Sequence, residues 1–174
     1  IQQFLADYVL VGLAVSEGVY SYRSGISIID NARLHVGAHY VANIDIENFF
    51  GSLRTPGVEA LLVRNGLNRE SAALIGRLVT KDGVLPQGAP TSPAISNAFL
   101  LSFDKVMLAG CRERDFAYSR YADDITISGA DRNGIEKMIG VAREQLARMY
   151  GLRLNEEKTR IASRHGQQKV TGVV

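Results

Sequence analysis

Asp123 and Asp124 stand side by side in "YSRYADDITIS" (118–128), a run whose Tyr, Ile and Thr residues suit a half-buried β-strand. Two carboxylates about 4 Å apart repel by roughly 4 kcal/mol in an effective dielectric of 20, so the pair needs a reason. One reason is a hairpin turn, where Asp bonds its own backbone. The other is a hard cation. Asp45, in "VANIDIENFF" (41–50), is either a helix N-cap or a carboxylate emerging at the end of an apolar strand. Mg²⁺ takes oxygen ligands at about 2.0–2.1 Å and commonly combines carboxylates with substrate phosphates. Two such ions about 3.5–4 Å apart can clamp the attacking and leaving oxygens of a phosphoryl transfer. Three carboxylates on separate β elements would serve that chemistry.

A third stretch, "LPQGAPTSP" (85–93), is kept irregular by Pro86, Pro90 and Pro93, and Gly88 permits close approach by another molecule. It runs into a helix N-terminus, whose free N–H groups favour anions, although an ordinary connection reads the same way. No nucleophilic-serine elbow, zinc-ligand spacing or phosphate-binding loop of the Walker type occurs.

The elements that would position these residues are punctuated by caps and glycines. Thr55-Pro56 opens a helix with Val58, Leu61 and Leu62 on its apolar face, and Gly66 ends it. Asn68 caps a second, with Leu74, Ile75, Leu78 and Val79 inward and an end near Gly83. Ser92-Pro93 opens a third, on which Ile95, Phe99, Phe103, Val106 and Met107 share a face before Gly110. A fourth carries Ile135, Met138, Ile139, Ala142, Leu146 and Met149 and stops at Gly151. Strands are expected at 40–45, in a hairpin over 116–128, at 152–155 and at 168–174. Helices between short strands, two of them a hairpin, imply an α+β fold: a small antiparallel sheet with helices packed on one face.

The bulk composition, 46% hydrophobic and 22% charged over 174 residues, is that of a globular chain able to build one good core or two small subdomains. A net charge of +2 excludes little, but 153–169 holds five basic residues against Glu156 and Glu157. A solvated face and phosphate contacts account for that excess equally well. Cys111 is the sole cysteine, which excludes an internal disulfide and suits a reducing compartment. The apolar run 8–15 is too short to cross a bilayer and reads as core. The chain lacks an initial Met and stops inside a β-like "KVTGVV", so a longer parent protein is expected.

In order and spacing, "NIDIENFF", "LPQGAPTSPAISN", "YSRYADDITIS" and "GLRLNEEKT" resemble polymerase motifs A, B, C and D of reverse transcriptases. "NARLH" (31–35) and "VTG" (170–172) are similar to two elements of the retron-type bacterial enzymes. The resemblance covers nearly the whole chain. It implies the fingers and palm of a right-hand polymerase, with the thumb absent: 1–39 and 54–84 in the fingers, 40–53 and 85–174 in the palm. It implies an RNA-directed DNA polymerase in which Asp45, Asp123, Asp124 and the Ile46 carbonyl hold two Mg²⁺ ions, with Mn²⁺ a possible substitute. Phe50 would exclude a 2′-hydroxyl, Gln87 and Gly88 would lie against nucleotide and template, and Lys158 would protonate pyrophosphate. Arg23 would reach the triphosphate. Asn31, His35, Val170, Thr171 and Gly172 would contact RNA, though a buried role for His35 is the simpler reading.

The implied partners are deoxynucleoside triphosphates, a structured non-coding RNA serving as template and primer, its cDNA product, and a defence effector protein. The implied setting is the bacterial cytoplasm, without a membrane. Gly51 and Ile26 depart from the family pattern; the second puts triphosphate contacts near Arg23 in doubt. A group II intron-type reverse transcriptase, an RNA-dependent RNA polymerase and a catalytically silent RNA-binding scaffold are the alternatives.

Overall fold

The computed structural model describes residues 1–174. Its helices are α1 (Gln2–Phe4), α2 (Ile28–Arg33), α3 (Phe49–Ser52), α4 (Thr55–Arg64), α5 (Arg69–Val79), α6 (Ser92–Phe99), α7 (Leu101–Arg112) and α8 (Arg132–Tyr150). Its strands are β1 (Tyr40–Ile46), β2 (Ala117–Tyr121), β3 (Asp124–Gly129) and β4 (Leu154–Ser163). The chain divides into two compact units, 1–15 with 48–101, and 16–47 with 102–174. No single helix is long and apolar enough to cross a membrane.

The second unit is built on an antiparallel sheet in the order β2-β3-β1-β4. β1 lies inside it because Val41, Ala42, Ile44 and Ile46 give it apolar residues to bury on both sides. Residues directly opposite across strands share a face. Ala42, Ile44, Ile125 and Ile127 therefore form one apolar face, while Asn43, Asp45, Asp124, Thr126 and Ser128 lie on the other. α8 packs against β1, β3 and β4, burying Ile135, Met138, Ile139, Ala142 and Leu146. Asp131 caps its start by accepting from the N–H groups of Asn133 and Gly134, and Gly151 ends it at φ +65°, a conformation that favours glycine. Met149, expected inward, is exposed in the last turn.

β4 is longer than the expected 152–155. Its register with β1 shifts between Asn43 and Asp45 and then continues to Tyr40 opposite Ser163. Glu156, Glu157 and Lys158 hide the strand in the sequence because an edge strand keeps charged residues in water. The expected strand at 168–174 is instead a turn in which Val170 and Val173 exchange backbone hydrogen bonds, with Thr171 and Gly172 at positive φ.

In the first unit α4 packs on α5 and α6. The α4 N-cap is Arg54, one residue earlier than Thr55, with Pro56 in the first turn. Asn68 caps α5 as expected, its Oδ1 accepting from Ser71 N–H at 2.8 Å. α5 ends at Val79, and its buried face is Ala72, Gly76 and Val79; Leu74 and Leu78 are exposed. Small residues win that face because α4 comes close: a Cβ on Gly76 would sit 2.7 Å from Glu59 Cγ. The long helix expected after Ser92 is broken at the fully buried Leu100 into α6 and α7, so Gly110 lies inside a helix and Val106 is exposed. Within the apolar run 8–15 Leu10 joins the core, while a wide turn, closed by Leu10 N–H to Leu5 C=O at 2.9 Å, leaves Tyr8 and Val11 exposed.

Residues 16–39 join the sheet because Tyr20 N–H bonds Arg120 C=O (2.9 Å) and Arg120 N–H bonds Gly18 C=O (2.8 Å). Residues 85–101 group with α4, on which α6 packs.

Candidate active site

The sheet brings Asp45 and Asp124 directly opposite each other, in the last register pair of β1 and β3. Asp123 is in the two-residue turn between β2 and β3, and its carbonyl accepts the Ile46 N–H at 3.2 Å, so the ladder continues past the acidic pair. The irregularity between β1 and β4 sits beside this point and lets Asp45 also face Asn155. Ile46 has its side chain in the core.

Burial, then the charges of neighbouring carboxylates, raises the pKa of Asp123 and Asp124; for Asp124 the value reaches about 6. Lys158, on β4, answers part of that charge: its Nζ is 3.0 Å from Asp45 Oδ1, and this carboxylate raises the ammonium's pKa. Lys158 is mostly exposed, so the contact reports position more than stability. The donors are all carboxylate oxygens, suited to hard cations, and an ammonium already stands where positive charge is wanted. Three such groups do not close around one point in this arrangement. A groove of about 310 Å³ opens beside Asp45, Asp124 and Lys158, with Arg160, Lys169 and Thr171 also on its walls.

The other expected residues are placed as follows. Arg23 is exposed and donates from Nη1 to Val19 C=O at 2.9 Å. Phe50, Gln87 and Gly88 belong to the first unit. Phe50 is half-buried with its ring 5.3 Å from Phe49, and Phe49 takes the core position. Gln87 and Gly88 are exposed on a loop held by Ser92 Oγ–H donating to Pro86 C=O at 2.6 Å; Gly88 has φ +83°.

The residues expected to contact RNA from 31–35 and 170–172 differ in exposure. Asn31, His35 and Val170 are buried, and only Thr171 and Gly172 reach the surface region. Asn31 Nδ2 donates to Thr171 Oγ1 at 2.6 Å, tying the two segments together. His35, 3% exposed, bridges Ser119 on β2 (Nε2–Oγ 2.8 Å) and Ser128 on β3 (Nδ1–Oγ 2.7 Å). These contacts tie 31–35 to Thr171 and to the two hairpin strands. Partners so far apart in sequence left no local signal.

Sequence reasoning also missed Tyr22, whose pKa burial and the Asp123 charge raise, and whose ring lies 6.4 Å from that of Tyr121. It missed the buried Arg120–Asp104 pair as well. A basic residue inside a strand and an acid in an amphipathic helix were the available signals.

A small antiparallel sheet with an acidic hairpin tip opposed by a third carboxylate, among packed helices, has the fold of the fingers and palm of reverse transcriptases. The chain belongs to the family "Reverse transcriptase (RNA-dependent DNA polymerase)", whose sequence model matches residues 1–174. Among curated relatives it is 36% identical over 179 residues to Retron Mx65 reverse transcriptase of Myxococcus xanthus, covering 92% of this chain and 42% of that protein. It is 33% identical over 177 residues to Retron Ec86 reverse transcriptase of Escherichia coli, covering 100% and 54%. The chain thus spans about half the length of the curated relatives it matches. In fold it is similar to telomerase from Candida albicans, solved with a fragment of telomeric RNA, at TM-score 0.62 and 13% identity over 99% of this chain and 36% of that one. Reverse transcriptases use divalent metals, consistent with the donor chemistry here.

Proposed function

We propose that this chain supplies the fingers and palm of a retron-type RNA-directed DNA polymerase. Asp45, Asp123 and Asp124, with the Ile46 carbonyl, would hold two Mg²⁺ ions, for which Mn²⁺ can substitute. When bound, the ions supply charge neutralisation at the attacking and leaving oxygens. The observation that carries this reading is the register pair Asp45–Asp124 with Asp123 adjoining it.

In the reaction a primer hydroxyl attacks the α-phosphate of a deoxynucleoside triphosphate. An O–P bond forms, the bond to pyrophosphate breaks, and the hydroxyl proton passes to solvent water. The chain mainly positions and neutralises. Lys158 Nζ carries a proton within reach of the acidic cluster and delivers it to the departing pyrophosphate. Phe50 leaves no room for a 2′-hydroxyl, and Gln87 and Gly88 bear on nucleotide and template. Arg23, with donors to spare beyond its bond to Val19, reaches toward the triphosphate.

The template and primer are a structured non-coding RNA, the product is RNA-linked single-stranded DNA, and a defence effector protein is the partner in the bacterial cytoplasm. Similarity to retron reverse transcriptases supports this reading over a group II intron-type enzyme. The test is primer extension on an RNA template with deoxynucleotides and Mg²⁺. Incorporation is expected from the native protein and not from Asp123→Asn, which should keep RNA binding in a gel shift. Undiminished incorporation by the variant, or none by the native protein, refutes the assignment.

A further inference from the structure

Ala122, which precedes the acidic pair, has φ +57°, a left-handed conformation that costs a non-glycine residue about 1–3 kcal/mol and persists only where the surroundings impose it. Side chains outside the carboxylate cluster impose it here. The Ala122 N–H donates to Ser21 Oγ at 2.9 Å, and the Ala122 carbonyl accepts from Arg120 Nη1 at 2.9 Å. Arg120 is wholly buried on β2. Its Nε and Nη2 donate to the two carboxylate oxygens of Asp104 on α7, each at 2.8 Å, and Tyr118 Oη–H donates to Asp104 Oδ1 at 2.7 Å. Ser21 reaches the turn because residues 18–20 pair along Arg120 on the outer edge of β2.

A buried ion pair is a poor device for stability alone, since apolar residues of similar volume often do as well. What apolar residues cannot supply is the third arm of a guanidinium, spent here on the carbonyl of the strained residue. We propose that Arg120, oriented by Asp104, and Ser21 are positioning residues that hold the Ala122 turn so that Asp123 and Asp124 stay in register with Asp45. The inference rests on the metal-dependent reading of those carboxylates. Outer partners that orient ligands typically change metal affinity or activity by about 10–100-fold when removed.

The experiment is MnCl₂ titration of the intact protein by calorimetry, with urea unfolding and steady-state primer extension run in parallel. Arg120→Met/Asp104→Leu replaces the pair with apolar residues; Arg120→Lys keeps the charge and lacks the fork. Ser21→Ala removes the hydroxyl that accepts the Ala122 N–H. All are expected to bind Mn²⁺ about 10–100-fold more weakly than native protein while folded, with kcat lowered and nucleotide KM little changed. Should the double variant not fold, Arg120→Lys and Ser21→Ala decide. Native Mn²⁺ affinity in these variants, or an affinity loss that only follows the unfolded fraction, overturns the proposal. Absence of Mn²⁺ binding in native protein, or binding indifferent to Asp123→Asn, would instead overturn the underlying reading.

Discussion

Replacing His35 by Gln should remove an acid sensitivity that the fold carries behind its acidic hairpin. Burial pushes the His35 imidazole down to about 4, and its ring nitrogens are taken by the Ser119 and Ser128 hydroxyls. In the unfolded chain the same imidazole titrates near 6.5, so between that pH and about 4 the unfolded state binds a proton that the folded state refuses. Its stabilising contribution is complete above about 6.5 and falls as pH drops through the window. At about 1.4 kcal/mol per pKa unit the full effect is about 3 kcal/mol, of which about 2 kcal/mol is lost between pH 7 and pH 5. Asp124 acts in the opposite sense: its raised pKa stabilises the metal-free fold below about 3.8, a contribution lost as pH rises through about 6.

Subtracting the variant from the native protein cancels that carboxylate contribution. The assay is urea unfolding followed by far-UV circular dichroism, in chelator, from pH 7 to pH 5. At pH 7 the Gln variant should be less stable by about 1–3 kcal/mol, because serine hydroxyls lose or weaken a buried partner. The native-minus-variant difference should then shrink by about 2 kcal/mol by pH 5. A difference independent of pH would refute the claim that His35 is buried and neutral.

Phe50→Ala should raise ribonucleotide incorporation relative to deoxyribonucleotide in single-nucleotide extension; an unchanged ratio would remove Phe50 from sugar selection. Lys158→Met should slow single-turnover incorporation, because the proton held 3.0 Å from Asp45 is gone. It should also tighten Mn²⁺ binding in a calorimetric titration, because a competing cation has left; an unchanged rate would defeat its role at pyrophosphate.

Much of this molecule follows from local sequence. Asn68 and Asp131 announce helix starts by bonding their own first-turn N–H groups, and Gly151 announces an end, because caps act over a few residues. The β1 strand and the acidic hairpin are equally local, and they carry the three carboxylates. Long-range packing decided the rest. Only pairing across the sheet sets Asp45 against Asp124 rather than leaving it an N-cap, and the register shift between Asn43 and Asp45 depends on β4, which charged residues conceal. Likewise Leu74 is exposed while Gly76 is buried, because the nearness of α4 outranks hydrophobicity on α5. A buried His35 is the simpler sequence reading, but its partners and the whole role of Arg120 are not legible there, since the hydroxyls and carboxylate that satisfy them come from other elements. Residue type can set which chemistry is available, but a buried polar group's role depends on its partners, and tertiary structure alone assigns those.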